Sequence, residues 1–100
     1  LELVIETMSG RHSLTIVALV WYLLIPPYVG VQKFDAKAPL VKWYEALDFE
    51  SLADCQRYRA GTIKQYEQRL REEPSSWRAS VELYQYSQCV SSEDPRRIGN

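Results

Sequence analysis

Histidine occurs once in 100 residues, at His12, methionine once, at Met8, cysteine twice, and the four glycines are scattered. Each scarcity excludes a chemistry. A histidine-assisted nucleophile needs its base beside it, and His12 lies ahead of the apolar stretch, apart from the nucleophiles that follow. Zinc wants four ligands, whereas Cys55 and Cys89 are far from C-x-x-C spacing and have no histidine near them. A redox pair lacks the same proximity. The glycines make no phosphate-cradling loop, and no cofactor or metal is expected. Surplus charge is missing too. Lys and Arg number 12 against 13 Asp and Glu, and without Glu2, Glu6 and Arg11 there are 11 of each from Gln32 onward. Nucleic-acid binding draws on an excess of positive charge, so nucleic acid is not an expected partner. The neighbouring carboxylates Glu72-Glu73 and Glu93-Asp94 cannot approach a substrate from opposite sides and read as solvated charge.

Long apolar runs are also absent. The longest, Leu14 to Ile25, has 12 residues, short of the roughly 20 that span a bilayer as a helix. Met8 reads as the start, with residues 1–7 an upstream extension. A polar segment with Arg11 and His12, the apolar run and then Pro26-Pro27 follow in the manner of a secretory signal. Residues 8–27 are therefore expected to be a signal peptide or a membrane anchor, with membrane contact through residues 13–31 if uncleaved. Ala36-Lys37-Ala38 has the small-x-small form of a cleavage site but stands beyond the run and directly before Pro39. Lys33, Lys37 and Lys42 after the run, against Arg11 before it, favour a cytoplasmic outer part. The cysteines favour export, to the periplasm or cell envelope or anchored to the inner membrane.

Residues 28–39 show little periodicity and read as a linker. Leu40 to Phe49 is aromatic and partly alternating, an extended segment. Ser51 followed by Asp54 forms a capping-box-like start, and no proline intervenes before Pro74, which predicts a helix over 51–72. Leu52, Cys55, Ile63, Tyr66 and Leu70 make its apolar stripe, interrupted by Arg59 and Gly61. Glu73-Pro74-Ser75-Ser76 stops that helix and starts a second over 75–88, with Trp77, Val81 and Tyr84 on one face. The expected fold class is mostly α: an N-terminal apolar signal or anchor helix, a linker, a two-helix hairpin closed by one disulfide within residues 40–92, and a polar tail over 93–100. The alternative is a small α+β fold with short strands near 41–47 and 84–91.

Measured from a joint near residue 73 at a rise of about 1.5 Å per residue, Cys55 lies about 27 Å back and Cys89 about 24 Å forward. The two thiols meet at the open end of the hairpin, where a disulfide fits. A domain this small needs such a staple.

Aromatic residues exceed what a two-helix hairpin needs for packing, and Tyr and Trp suit protein interfaces. Trp43, Tyr44, Trp77 and Tyr84, with Asp94, Arg96 and Arg97 of the tail, are the candidate partner-binding residues. The segments Trp21-Tyr22-Leu23-Leu24-Ile25-Pro26-Pro27, Ala38-Pro39-Leu40 with Trp43, Phe49-x-Ser51 leading to Cys55, and Gln88-Cys89-Val90-Ser91-Ser92-Glu93-Asp94-Pro95-Arg96 together resemble a group of short, predicted-secreted bacterial proteins of unknown function. Glu93 stands where a second aspartate is expected. The resemblance implies export and a paired cysteine, and carries no activity. Together these features lead us to expect a non-enzymatic, exported envelope protein that binds an unidentified protein. The alternative is an accessory subunit of a membrane complex held by its uncleaved N-terminal helix.

Overall fold

The computed structural model describes residues 2–6 and 13–17 as backbone and residues 19–98 with their side chains. Strands β1 (Glu2–Glu6) and β2 (Ser13–Val17) pair antiparallel, with Glu2 opposite Val17 and Glu6 opposite Ser13. Met8, Arg11 and His12 fall outside the described residues.

The remaining described elements form an α+β domain, and the expected mostly α fold with an apolar N-terminal helix is overturned. Strand β3 (Trp21–Ile25) is the centre of a three-stranded antiparallel sheet. Pro26 and Pro27 end it, since proline cannot donate to a ladder. A ribbon of β4 (Tyr28–Gly30) and β5 (Lys33–Phe34) follows, turning through Gln32 at φ 56°. A 3₁₀ turn (Leu40–Lys42) leads into β6 (Tyr44–Phe49). Helices α1 (Leu52–Glu72) and α2 (Pro74–Tyr86) make an antiparallel hairpin, and β7 (Gln88–Ser91) and a short α3 (Pro95–Ile98) complete the chain.

Both flanking strands pair with β3. On one side Trp21 faces Phe49 and Ile25 faces Tyr44, with a register shift that leaves Ala46 as the extra residue of β6. On the other, Leu23 faces Cys89 and Tyr22 faces Val90. Directly opposed residues share a sheet face. Cys89 is bonded to Cys55 of α1, with 6.1 Å between the Cα atoms, so the Leu23 face is the helical side. On the other face Leu24, Trp43 and Val90 form a cluster against which Tyr22, Ala38 and Leu40 pack. β3 is covered on both faces, and Leu23 and Leu24 are each 0% exposed.

That double burial explains why the part of the apolar run from Trp21 to Ile25 was misread. A strand covered on one side shows polar and apolar alternation; one covered on both sides reads as continuous apolar sequence, as a buried helix does. Trp21 and Tyr22 favour the strand. Residues 13–31 thus contribute strands where an apolar signal or anchor helix was expected, and among the described residues no helix is long and apolar enough to cross a membrane. The stretch read as a linker is likewise part of the domain: Asp35 N–H donates to the Pro27 carbonyl at 2.9 Å, and Ala38 packs on the core. Strands occur near 41–47 and 84–91, but β3, which organises the sheet, belongs to neither expected fold.

The helical hairpin follows its sequence signals. Ser51 Oγ accepts from the Asp54 N–H at 3.1 Å, capping α1, and Pro74 opens α2 after the single non-helical residue Glu73. Cys55 is buried near the start of α1, whereas Cys89 lies on a strand. The disulfide therefore ties the helical layer to the sheet, where a link between two helices was expected.

Candidate functional site

The seven candidate partner-binding residues separate into two groups. Trp43 is buried against Leu24 and Val90, and its Nε1–H donates to the Ala38 carbonyl at 2.8 Å, so it is an anchor of the core. Trp77 stacks on Tyr66 with centroids 5.5 Å apart, and Tyr84 meets the same Tyr66 at 5.5 Å. These rings fill the seam between α1 and α2, and the Arg69 guanidinium lies 4.9 Å over the Trp77 ring. Burial and the neighbouring Tyr66 push the Tyr84 phenol above its ordinary pKa.

The tail is folded back as well. Asp94 accepts from the Arg96 backbone N–H at 2.9 Å, capping α3, and binds the Arg96 guanidinium through both carboxylate oxygens at 3.1 and 2.8 Å. Those bonds from Arg96 hold the Asp94 carboxyl below the usual aspartate range and raise Arg96 above its own. Arg97 lies 4.8 Å over the Tyr22 ring, donates to the Ser92 carbonyl at 3.1 Å and pairs with Glu45 at 3.3 Å. It joins β3, the turn after β7 and β6, where a partner-binding residue was expected. Arg96 is exposed with its charge paired to Asp94.

Tyr44 alone among the aromatic candidates faces solvent, at 65% exposure. It opens β6, which has β3 on one side and, among the described residues, no strand on the other. The register brings Tyr44 opposite Ile25 and Leu47 opposite Leu23, so both lie on the helical face, Leu47 at 42% exposure. Glu45 is opposite Leu24 and Asp48 opposite Tyr22, so both lie on the other face and are exposed. The extra residue Ala46 makes this separation. Without a bulge, Tyr44 and Leu47, three apart, would fall on opposite faces. The free edge is thus apolar on one side and acidic on the other. Leu47, Glu45 and Asp48 escaped the sequence reading because the bulge breaks the alternation that marks a strand.

Chemistry is sparse elsewhere. A groove of about 460 Å³ beside Trp43 is lined by Ala38, Pro39, Leu40, Gln88 and Arg96, a set without a nucleophile or an acid–base pair. Among the described residues no three of His, Cys, Asp and Glu converge as a metal site. The β4–β5 ribbon exposes Tyr28, Val29 and Val31, the last at 91%, while Phe34 holds it edge-on to Tyr86 at 5.7 Å.

Arg59, which interrupts the stripe of α1 in sequence, has a structural task. Its Nε donates to the Ser87 carbonyl at 2.9 Å and to Ser87 Oγ at 3.0 Å, and its Nη2 to the Gln85 carbonyl at 2.7 Å. It closes the carboxyl end of α2, where backbone carbonyls lack helical partners, and so leads the chain into β7. No sequence signal marks this contact, which joins residues 28 apart. Comparison with protein-family models, curated proteins and solved structures finds no match to this chain, so its surface alone bears on what it does.

Proposed function

We propose that the protein is a non-enzymatic binding module of an oxidising compartment of the bacterial cell envelope, and that it docks a protein partner on the free edge of β6. The observation that supports this reading most is the edge itself, with Tyr44 and Leu47 exposed on one side of a strand whose outer edge has no partner among the described residues. Exposed edges invite pairing, and on β6 the bulge at Ala46 and the acids Glu45 and Asp48 narrow which strands can join it. The Cys55–Cys89 bond supports the compartment, because such bonds persist outside the reducing cytosol.

A photo-crosslinking amino acid placed at Tyr44 in the protein expressed in its own cells tests the docking. A discrete protein adduct is expected there and none from Gln65, an exposed position on α1. Absence of any adduct at Tyr44 overturns the binding proposal. Thiol labelling of envelope-derived protein tests the compartment: no reactive thiol is expected before reduction, and two free thiols overturn it.

A further inference from the structure

We infer that the partner adds an extended strand to β6 and that this strand alternates apolar with basic side chains. The inference rests on the docking proposed above and deepens it by naming the partner's chemistry. A strand joining an edge places its side chains directly opposite those of the edge, one face at a time. On β6 the two faces differ in kind. Tyr44 and Leu47 occupy the helical side, where an incoming strand meets exposed apolar surface. Glu45 and Asp48 occupy the other side. Glu45 has a partner in Arg97, at 3.3 Å, whereas Asp48 accepts no side-chain bond among those of the described residues. A Lys or Arg opposite Asp48 gains a pairing that an acid there would turn into repulsion.

The same charges argue against a second copy of this chain. Antiparallel self-pairing centred between Ala46 and Leu47 sets Glu45 of one copy against Asp48 of the other, twice over by symmetry. The opposite edge of the sheet, β7, is a poorer receiver. It has four residues, and Cys89 and Val90 are committed to the disulfide and the core.

The test is a titration of the full chain, labelled with ¹⁵N, by two blocked hexapeptides, one alternating Lys with Val and the other Glu with Val. The Lys-Val peptide is expected to shift and slow the exchange of backbone amides in Tyr44–Phe49, and the Glu-Val peptide to leave them unchanged. In Asp48→Lys, which spares the Glu45–Arg97 pair, affinity for the Lys-Val peptide should fall by about two- to fivefold per lost charge pair. Asp48→Ala, with the charge deleted and none added, should fall between the two.

Equal effects of the two peptides, a response centred on β7, or amide protection in β6 that grows with protein concentration alone would each overturn the inference, the last because a second copy then fills the edge. The two proposals fail separately. Adducts at Tyr44 in cells without β6 protection by the Lys-Val peptide would refute the strand chemistry and leave docking intact. Protection without adducts would refute docking and leave the chemistry of the edge intact.

Discussion

Replacing Arg59 with alanine should unfold this domain more readily than its place on α1 suggests. The guanidinium makes three hydrogen bonds across the hairpin, two to Ser87 and one to the Gln85 carbonyl. Gln85 is exposed, and its carbonyl regains water when the arginine is removed. Ser87 is only 3% exposed, so its acceptors are left without an equivalent partner. An unsatisfied buried acceptor costs about 1–3 kcal/mol, and losing a cation at a helix carboxyl end adds about 0.3–1 kcal/mol. We expect Arg59→Ala to lose about 2–3 kcal/mol. Against about 4–12 kcal/mol for a domain spanning residues 19–98, that is a large share. Guanidinium-chloride unfolding followed by circular dichroism measures it, with Arg57→Ala as control. Arg57 is exposed and among the described residues its side chain bonds only its helix neighbour Asp54, at 2.8 Å, so its loss should stay under about 0.5 kcal/mol. Arg59→Lys keeps the charge but not the planar fork, and should recover less than half of the difference. Equal losses for Arg59→Ala and Arg57→Ala would refute the role of Arg59 as the closure of α2.

Further outcomes follow from the same contacts. Replacing both Cys55 and Cys89 by alanine opens a loop with a sequence separation of 34, which the loop-entropy relation values at about 4 kcal/mol; a loss below about 1 kcal/mol in urea unfolding would show that the bond constrains little. Leu24→Ala should cost about 2–5 kcal/mol and Tyr44→Ala under about 0.5 kcal/mol; comparable melting of both variants would remove β3 from the core. The Asp94 carboxyl is held low in the folded state, so its contribution is complete above the unfolded aspartate value of about 3.9 and fades as pH falls through the lower folded value. The stability gap between the parent and Asp94→Asn should therefore narrow as the pH falls below about 4, and a gap that widens on acidification would contradict the Arg96 pairing. If the protein is exported, mass spectrometry of its mature form should find Trp21 retained, and a terminus after Ala38 would remove the central strand.

The local part of the fold was legible in the sequence. Ser51, Asp54 and Pro74 set where the two helices begin, because caps and proline act through bonds only a few residues long. Cysteine placement on either side of the Pro74 joint brought Cys55 and Cys89 to one level, and the bond is there. The scarcity of histidine and glycine already argued against several chemistries. The identity of Trp21–Ile25, by contrast, was settled by long-range contacts. A short apolar run is a helix or a strand according to what covers it, and here the covers are a helical hairpin on one face and Trp43 with Val90 on the other, all distant in sequence. The fates of Trp43, Arg97 and Arg59 were settled the same way, by partners across the fold that turn residues suited to display into anchors and closures. Tyr44 is exposed on β6, the outermost strand of its sheet among the described residues, and a sheet's edge is a property of strand order that no local pattern records.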